Sequence, residues 1–199
     1  MKLRRFLSPV LVSLLTVAAT NALASNFVLT FNGLQNGGEE VLSYYDGGTG
    51  SLGSGPGTNY GITFTPSFIA VAVTGFENPD VGALNGSSAT MNVPGGFTNV
   101  FSFYYEDFDG SGSVTLWSGL NGTGAELADI PLSAESSWDP VAAFLSGANA
   151  KSVVFSGTSV EFGEITDSSS PVLPEPSSLL LVGTGVAGLV AWLRRHVVS

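Results

Sequence analysis

Short apolar runs separated by glycine-rich turns dominate the middle of this 199-residue chain. Ten of them read as strands: 27–31, 41–45, 60–64, 68–74, 89–93, 98–105, 113–117, 125–130, 152–156 and 160–165. Each is short, rich in aromatic or β-branched side chains, and bounded by Gly, Asn, Asp or Ser. Several alternate: Val114 and Leu116 fall on the face opposite Thr115 and Trp117, and Val153 and Phe155 on the face opposite Val154 and Ser156. No ten-residue segment of this region keeps a 3.6-residue period. Asn121-Gly122 suits a type I′ hairpin turn, whose two central residues both need positive φ. The expected fold class is all-β, an antiparallel sandwich or jelly-roll over residues 25–166, with 49–58 as a flexible Gly/Ser loop and 167–173 as a polar linker.

The two ends follow other patterns. Residues 1–24 place Lys2, Arg4 and Arg5 before an apolar stretch and close on Ala22-Leu23-Ala24. This is the layout of a secretory signal peptide cleaved after Ala24, leaving Ser25 first. Near the other end, Pro174-Glu175-Pro176 precedes an apolar run, 177–193, and the pair Arg194-Arg195. As a helix that run would be about 25 Å long, at the short end for a transmembrane span. The basic clusters hold both ends in the cytoplasm and put everything between them outside the inner membrane. Within the run, residues 183–188 read GTGVAG and match the dinucleotide fingerprint GxGxxG. With no preceding strand and no acidic residue some 20 positions on, these glycines are small residues of a membrane helix and not a cofactor site.

A Pro-Glu-Pro, a Gly-containing apolar helix and a basic cluster in that order, behind a signal peptide, resemble the PEP-CTERM sorting signal of Gram-negative bacteria. The resemblance covers residues 173–196. It implies a recognition motif at Pro174, Glu175 and Pro176, a transmembrane stop at 177–193 and retention charges at Arg194 and Arg195. It further implies delivery by the Sec export machinery, processing by a membrane-embedded exosortase, transient anchoring, and release to the cell surface or a biofilm matrix rich in exopolysaccharide. Leu173 stands where Val is commoner, and residues 196–199 extend past the basic pair. Residues 97–124 also resemble the Phe-rich strand, Gly-Ser turn and GLNGTG hairpin of β-sandwich ectodomains that carry this tail.

Charge and composition narrow the chemistry. Between residues 25 and 170 stand fifteen of the sixteen acidic residues and a single base, Lys151. So acidic a surface repels nucleic acid and offers phosphate no cationic cluster. The chain has no Cys and one His, His196, which removes thiol catalysis, Cys-based metal sites, Ser-His-Asp triads and multi-His centres. Paired carboxylates alone do not identify a glycosidase among so many acids. No enzyme activity and no obligatory cofactor are expected.

Two kinds of binding remain as candidates. The segment 106–113 (EDFDGSGS) places Asp107 and Asp109 on a Gly-rich turn, a setting that offers Ca²⁺ hard oxygen ligands, though it lacks the ligands of an EF-hand loop. Its plainer reading is a solvated acidic turn. A second calcium candidate is Glu161 and Glu164 with Glu39 and Glu40. Tyr44, Tyr45, Tyr60, Tyr104, Tyr105, Trp117 and Trp138 could stack on sugar rings, with Trp138, Trp117 and Tyr105 the foremost carbohydrate candidates. Alternation, however, sends one ring of each Tyr-Tyr pair into the core. A structural or adhesive surface protein is thus the leading expectation, and a carbohydrate-binding module, with or without dependence on Ca²⁺, the alternative.

Overall fold

The computed structural model describes residues 26–168 apart from 78 and 99, and the expected signal peptide, Ala22, Ala24, Ser25, Pro174–Pro176, the 177–193 span, Arg194 and Arg195 lie outside them. Twelve strands form among the described residues: β1 (Phe27–Leu29), β2 (Gly37–Glu40), β3 (Thr63–Phe64), β4 (Phe68–Ala72), β5 (Asp80–Leu84), β6 (Ser88–Phe97), β7 (Val100–Asp107), β8 (Ser113–Trp117), β9 (Glu126–Pro131), β10 (Glu135–Phe144), β11 (Ala150–Ser156) and β12 (Val160–Asp167). Alternation decides their faces. In β7, Phe101, Phe103 and Tyr105 are buried while Ser102, Tyr104 and Glu106 turn outward; in β8, Val114 and Leu116 are buried.

The strands make two antiparallel sheets. One runs β10-β7-β12-β5-β4-β2, with β1 pairing the C-terminal part of β12, and the other runs β3-β6-β11-β8-β9. Phenylalanines hold the sheets face to face. Phe155 of β11 meets Phe162 of β12 at 4.8 Å between ring centroids and Phe68 of β4 at 5.1 Å. Phe97 of β6 sits 5.4 Å from Phe101 of β7. Each such ring contributes about 1.5–3 kcal/mol by leaving water, which explains how a domain without disulfides holds together. Gly82 keeps the packing close, because a Cβ there would run into the Phe68 ring.

Several boundaries differ from the expected ones. The run 41–45 is not a strand: pairing occurs upstream in β2, and Tyr44–Asp46 winds into a 3₁₀ turn ended by Gly47 at φ 74°. That turn buries both tyrosines, against the one-in, one-out expectation, because each hydroxyl finds a backbone partner: Tyr45 accepts the Phe31 N–H at 2.7 Å and Tyr44 donates to the Asn32 carbonyl at 2.9 Å. Strands β5 and β10 were not expected. β10 carries Pro140 in its middle, and its place at the sheet edge removes the need for that missing N–H. β12 continues to Asp167, so the sheet takes in the first residue assigned to the linker.

The 49–58 segment is an ordered loop rather than a free one. Glu39, fully buried, gathers it: Oε1 accepts the N–H groups of Leu52 (2.9 Å) and Ser54 (3.1 Å), and Oε2 accepts that of Gln35 (2.6 Å). At the β8–β9 hairpin, Asn121 and Gly122 adopt φ of 57° and 66°, as expected of that pair. The loop is longer than a two-residue turn, closing from the Gly119 N–H to the Thr123 carbonyl at 2.8 Å.

Candidate functional site

The outer face of the larger sheet, around β10, β7 and β12, brings aromatic rings, hydroxyls and a carboxylate together. Its rows follow from register. Pro140 of β10 opposes Tyr104 of β7, and Ala142 opposes Ser102, which in turn opposes Thr166 of β12 and, beyond it, Val28 of β1. A β-bulge between Gly163 and Thr166 interrupts β12, with Glu164 at φ 42°. The left-handed region is uncommon for a residue with a side chain, and such strain persists where the surroundings over-determine it. Below the bulge the sheet is shielded by Phe76 of the β4–β5 loop, whose ring covers Gly163; a Cβ there would lie 2.5 Å from it. Phe76 packs against Trp138 at 4.4 Å and Tyr104 at 5.4 Å between centroids.

Beside this aromatic cluster runs a groove of about 320 Å³, lined by Ser102, Tyr104, Pro140, Ala142, Glu164 and Thr166 among others. The hydroxyls of Ser102 and Thr166 bond to each other at 2.6 Å on its floor. Trp138 has a buried indole N–H with no acceptor among the described atoms.

Farther along the same face Glu161 stands directly opposite Glu106. Burial, and then the Glu106 charge, push the Glu161 carboxyl above its ordinary value. Like charges in register are unfavourable, so ionising Glu161 lowers stability as pH rises through its raised folded value. Glu161→Gln is therefore expected to raise the melting temperature by about 1–2 °C at pH 7, an advantage that closes toward about pH 4; paired thermal melts at the two pH values check it. The small size reflects solvent screening at this half-exposed position.

The calcium candidates are placed as follows. Asp107 is fully buried at the end of β7. Its Oδ1 accepts the N–H groups of Asp109 (3.2 Å) and Gly110 (2.9 Å), and its Oδ2 that of Gly112 (2.8 Å). Asp109 is exposed, and hydrogen bonds from Ser111 and Thr158 hold its carboxyl down to about 2. Both carboxylates thus fasten the turn. Glu161 and Glu164 share β12, whereas Glu39 and Glu40 belong to β2, with β5 and β4 between them, so that set is not brought together. Among the described residues no group of three or more His, Asp or Glu is placed to hold a metal ion.

Of the three foremost sugar candidates, Trp138 alone reaches an open face beside other rings. Tyr105 lies in the core. Trp117 is on the outer face of the smaller sheet, where the 118–125 hairpin folds back over it: Asn121 bonds Asn92 on β6, and Gly122 donates to Ser152 Oγ at 3.0 Å. Tyr104, one of the wider set of candidate rings, and Phe76, which the sequence did not mark, complete the partly exposed cluster. Polar neighbours at 102 and 106 give the parity that turns Tyr104 outward; nothing local marks Phe76, which reaches the face from a loop.

Comparison with known proteins agrees with the tail pattern: residues 172–195 match the PEP-CTERM protein-sorting motif. Such a signal implies export and membrane-associated processing by an exosortase. No curated protein matches the chain. Similar solved structures include the carbohydrate binding module of Cellvibrio mixtus lichenase 5A in complex with cellotriose (12% identity, TM-score 0.38, 52% of this chain and 88% of that one). Two adhesin domains of Lys-gingipain are also similar: K2 (10%, TM-score 0.49, 72% and 99%) and, from Porphyromonas gingivalis, K3 (18%, TM-score 0.34, 72% and 97%). The β-sandwich class of this chain stands on its own strand pairing. No helix among the described residues is long and apolar enough to cross a membrane.

Proposed function

We propose that this chain is an exported surface protein of a Gram-negative bacterium. Residues 1–24 act as its signal peptide, 177–193 as a transient membrane anchor, and an exosortase processes it near Pro174-Glu175-Pro176. The sandwich then stays in the cell-surface or exopolysaccharide layer in a structural or adhesive role, without catalysis. The sorting-motif match at 172–195 carries this reading. The lone Lys of a fifteen-carboxylate domain supports it by arguing against a nucleic-acid partner.

Replacing Pro174, Glu175 and Pro176 together by alanine is expected to leave the protein unprocessed in the inner membrane, with the wild type found shortened at the surface. Fractionation and immunoblotting of the host read this directly. Equal processing of the variant would refute the assignment.

A second reading, a carbohydrate-binding domain, is favoured by the cluster of Phe76, Tyr104 and Trp138 on the outer sheet face. Aromatic rings beside hydroxyls combine an apolar stacking surface with hydrogen-bonding groups.

A further inference from the structure

We infer that the groove beside Tyr104 binds a neutral glycan chain, and that Glu164 is the residue that orients it; the inference rests on the carbohydrate-binding reading and gives it a place and a ligand class. Three observations converge. The groove combines an exposed ring, Tyr104, and the apolar Pro140 and Ala142 with hydroxyls and one carboxylate, a mixture suited to a ligand with both C–H faces and O–H edges. Its acidic component is Glu164, and Glu106 and Glu161 lie along the same face. Acceptors on this face therefore match a donor of neutral O–H groups and repel uronates, sulfates and phosphates. Finally, Glu164 holds a positive φ of 42° within a β-bulge, the device by which a strand re-aims one side chain.

The neighbouring rings set the limits of the site. Phe76 shields Gly163 and packs on both Tyr104 and Trp138, so it braces the Tyr104 ring against the sheet. A chain lying along the groove would place one sugar face on Tyr104 and direct its hydroxyls to Glu164 and to the Ser102–Thr166 pair. Glu164 serves here as an acceptor.

The test uses the full chain in a detergent that carries no sugar, titrated calorimetrically with cellohexaose, xylohexaose and a β-1,3-glucan hexamer, with an alginate hexamer and hexalysine alongside. At least one neutral hexamer is expected to bind, and the alginate hexamer is not. Tyr104→Ala and Glu164→Gln should each weaken binding tenfold or more. Ala142→Trp, which fills the groove from an exposed position without removing any group, should abolish it. Phe108→Ala, at an exposed ring away from the groove, should leave it unchanged. Thermal melts confirm that each variant is folded. Neutral-glycan binding that survives Ala142→Trp would overturn this site and keep the broader carbohydrate reading. Binding of hexalysine alone, lost in salt, would overturn the ligand class in favour of a cationic peptide. Failure of all three neutral hexamers to bind would overturn this site as the receptor of such chains.

Discussion

Replacing Glu39 by alanine is expected to lower stability by about 3 kcal/mol, roughly 10 °C in melting temperature. The carboxylate is fully buried and accepts three backbone N–H groups, from Gln35, Leu52 and Ser54. Hydrogen bonds to a charged acceptor are worth more than neutral ones, and alanine leaves those N–H groups without it. Gly50 packs so closely that its own Cβ would come 2.5 Å from Glu39 Oε1, so the loop has no room to seek another acceptor inside. Glu39→Gln should cost about half as much, since the amide keeps the shape and one acceptor oxygen. The pH dependence separates charge from packing. Burial tends to raise the Glu39 carboxyl, but the bonds from Gln35, Ser54 and Leu52 outweigh it and hold the group below its ordinary 4.5. Its contribution is therefore complete above about pH 4.5 and is lost as pH falls through the lower folded value. Wild type should weaken over that interval more than Glu39→Gln does, as read by denaturant melts at a series of pH values.

Asp107→Ala is expected to cost about 2–3 kcal/mol for a related reason. Three N–H groups of the 108–112 turn lose their acceptor, and Gly112, whose Cβ would lie 2.7 Å from Asp107 Oδ2, shows how closely the turn is drawn onto that side chain. A structural role and a calcium role differ in one respect. If Asp107 only fastens the turn, the loss measured in millimolar calcium equals that in EDTA. A ligand must stabilise the native state, so a calcium-dependent gain in wild type that vanishes in the variant would restore the metal reading.

Period-two patterning was enough to read the all-β class and most strand positions, because burial of one sheet face leaves a signal within each strand. It could not reveal β10, whose Pro140 and exposed edge position mimic a turn, or the 41–45 segment, where backbone partners for two tyrosine hydroxyls overrode alternation. Nor could it reveal Glu39 as the peg of a loop. A glutamate among glycines looks solvated until 13 to 15 residues of chain return to it. The aromatic cluster beside the candidate groove was half legible. Trp138 stood out, but its partners come from β7 and a loop more than 30 and 60 residues away, and only pairing assembles them.

The most direct test of the account is the intact mass of the protein recovered from the host's surface fraction. Export and C-terminal sorting predict a polypeptide that begins at Ser25 and ends close to Pro174–Pro176. A chain of the full 20.4 kDa recovered from the cytosol, bearing Met1 and Ser199, would contradict it.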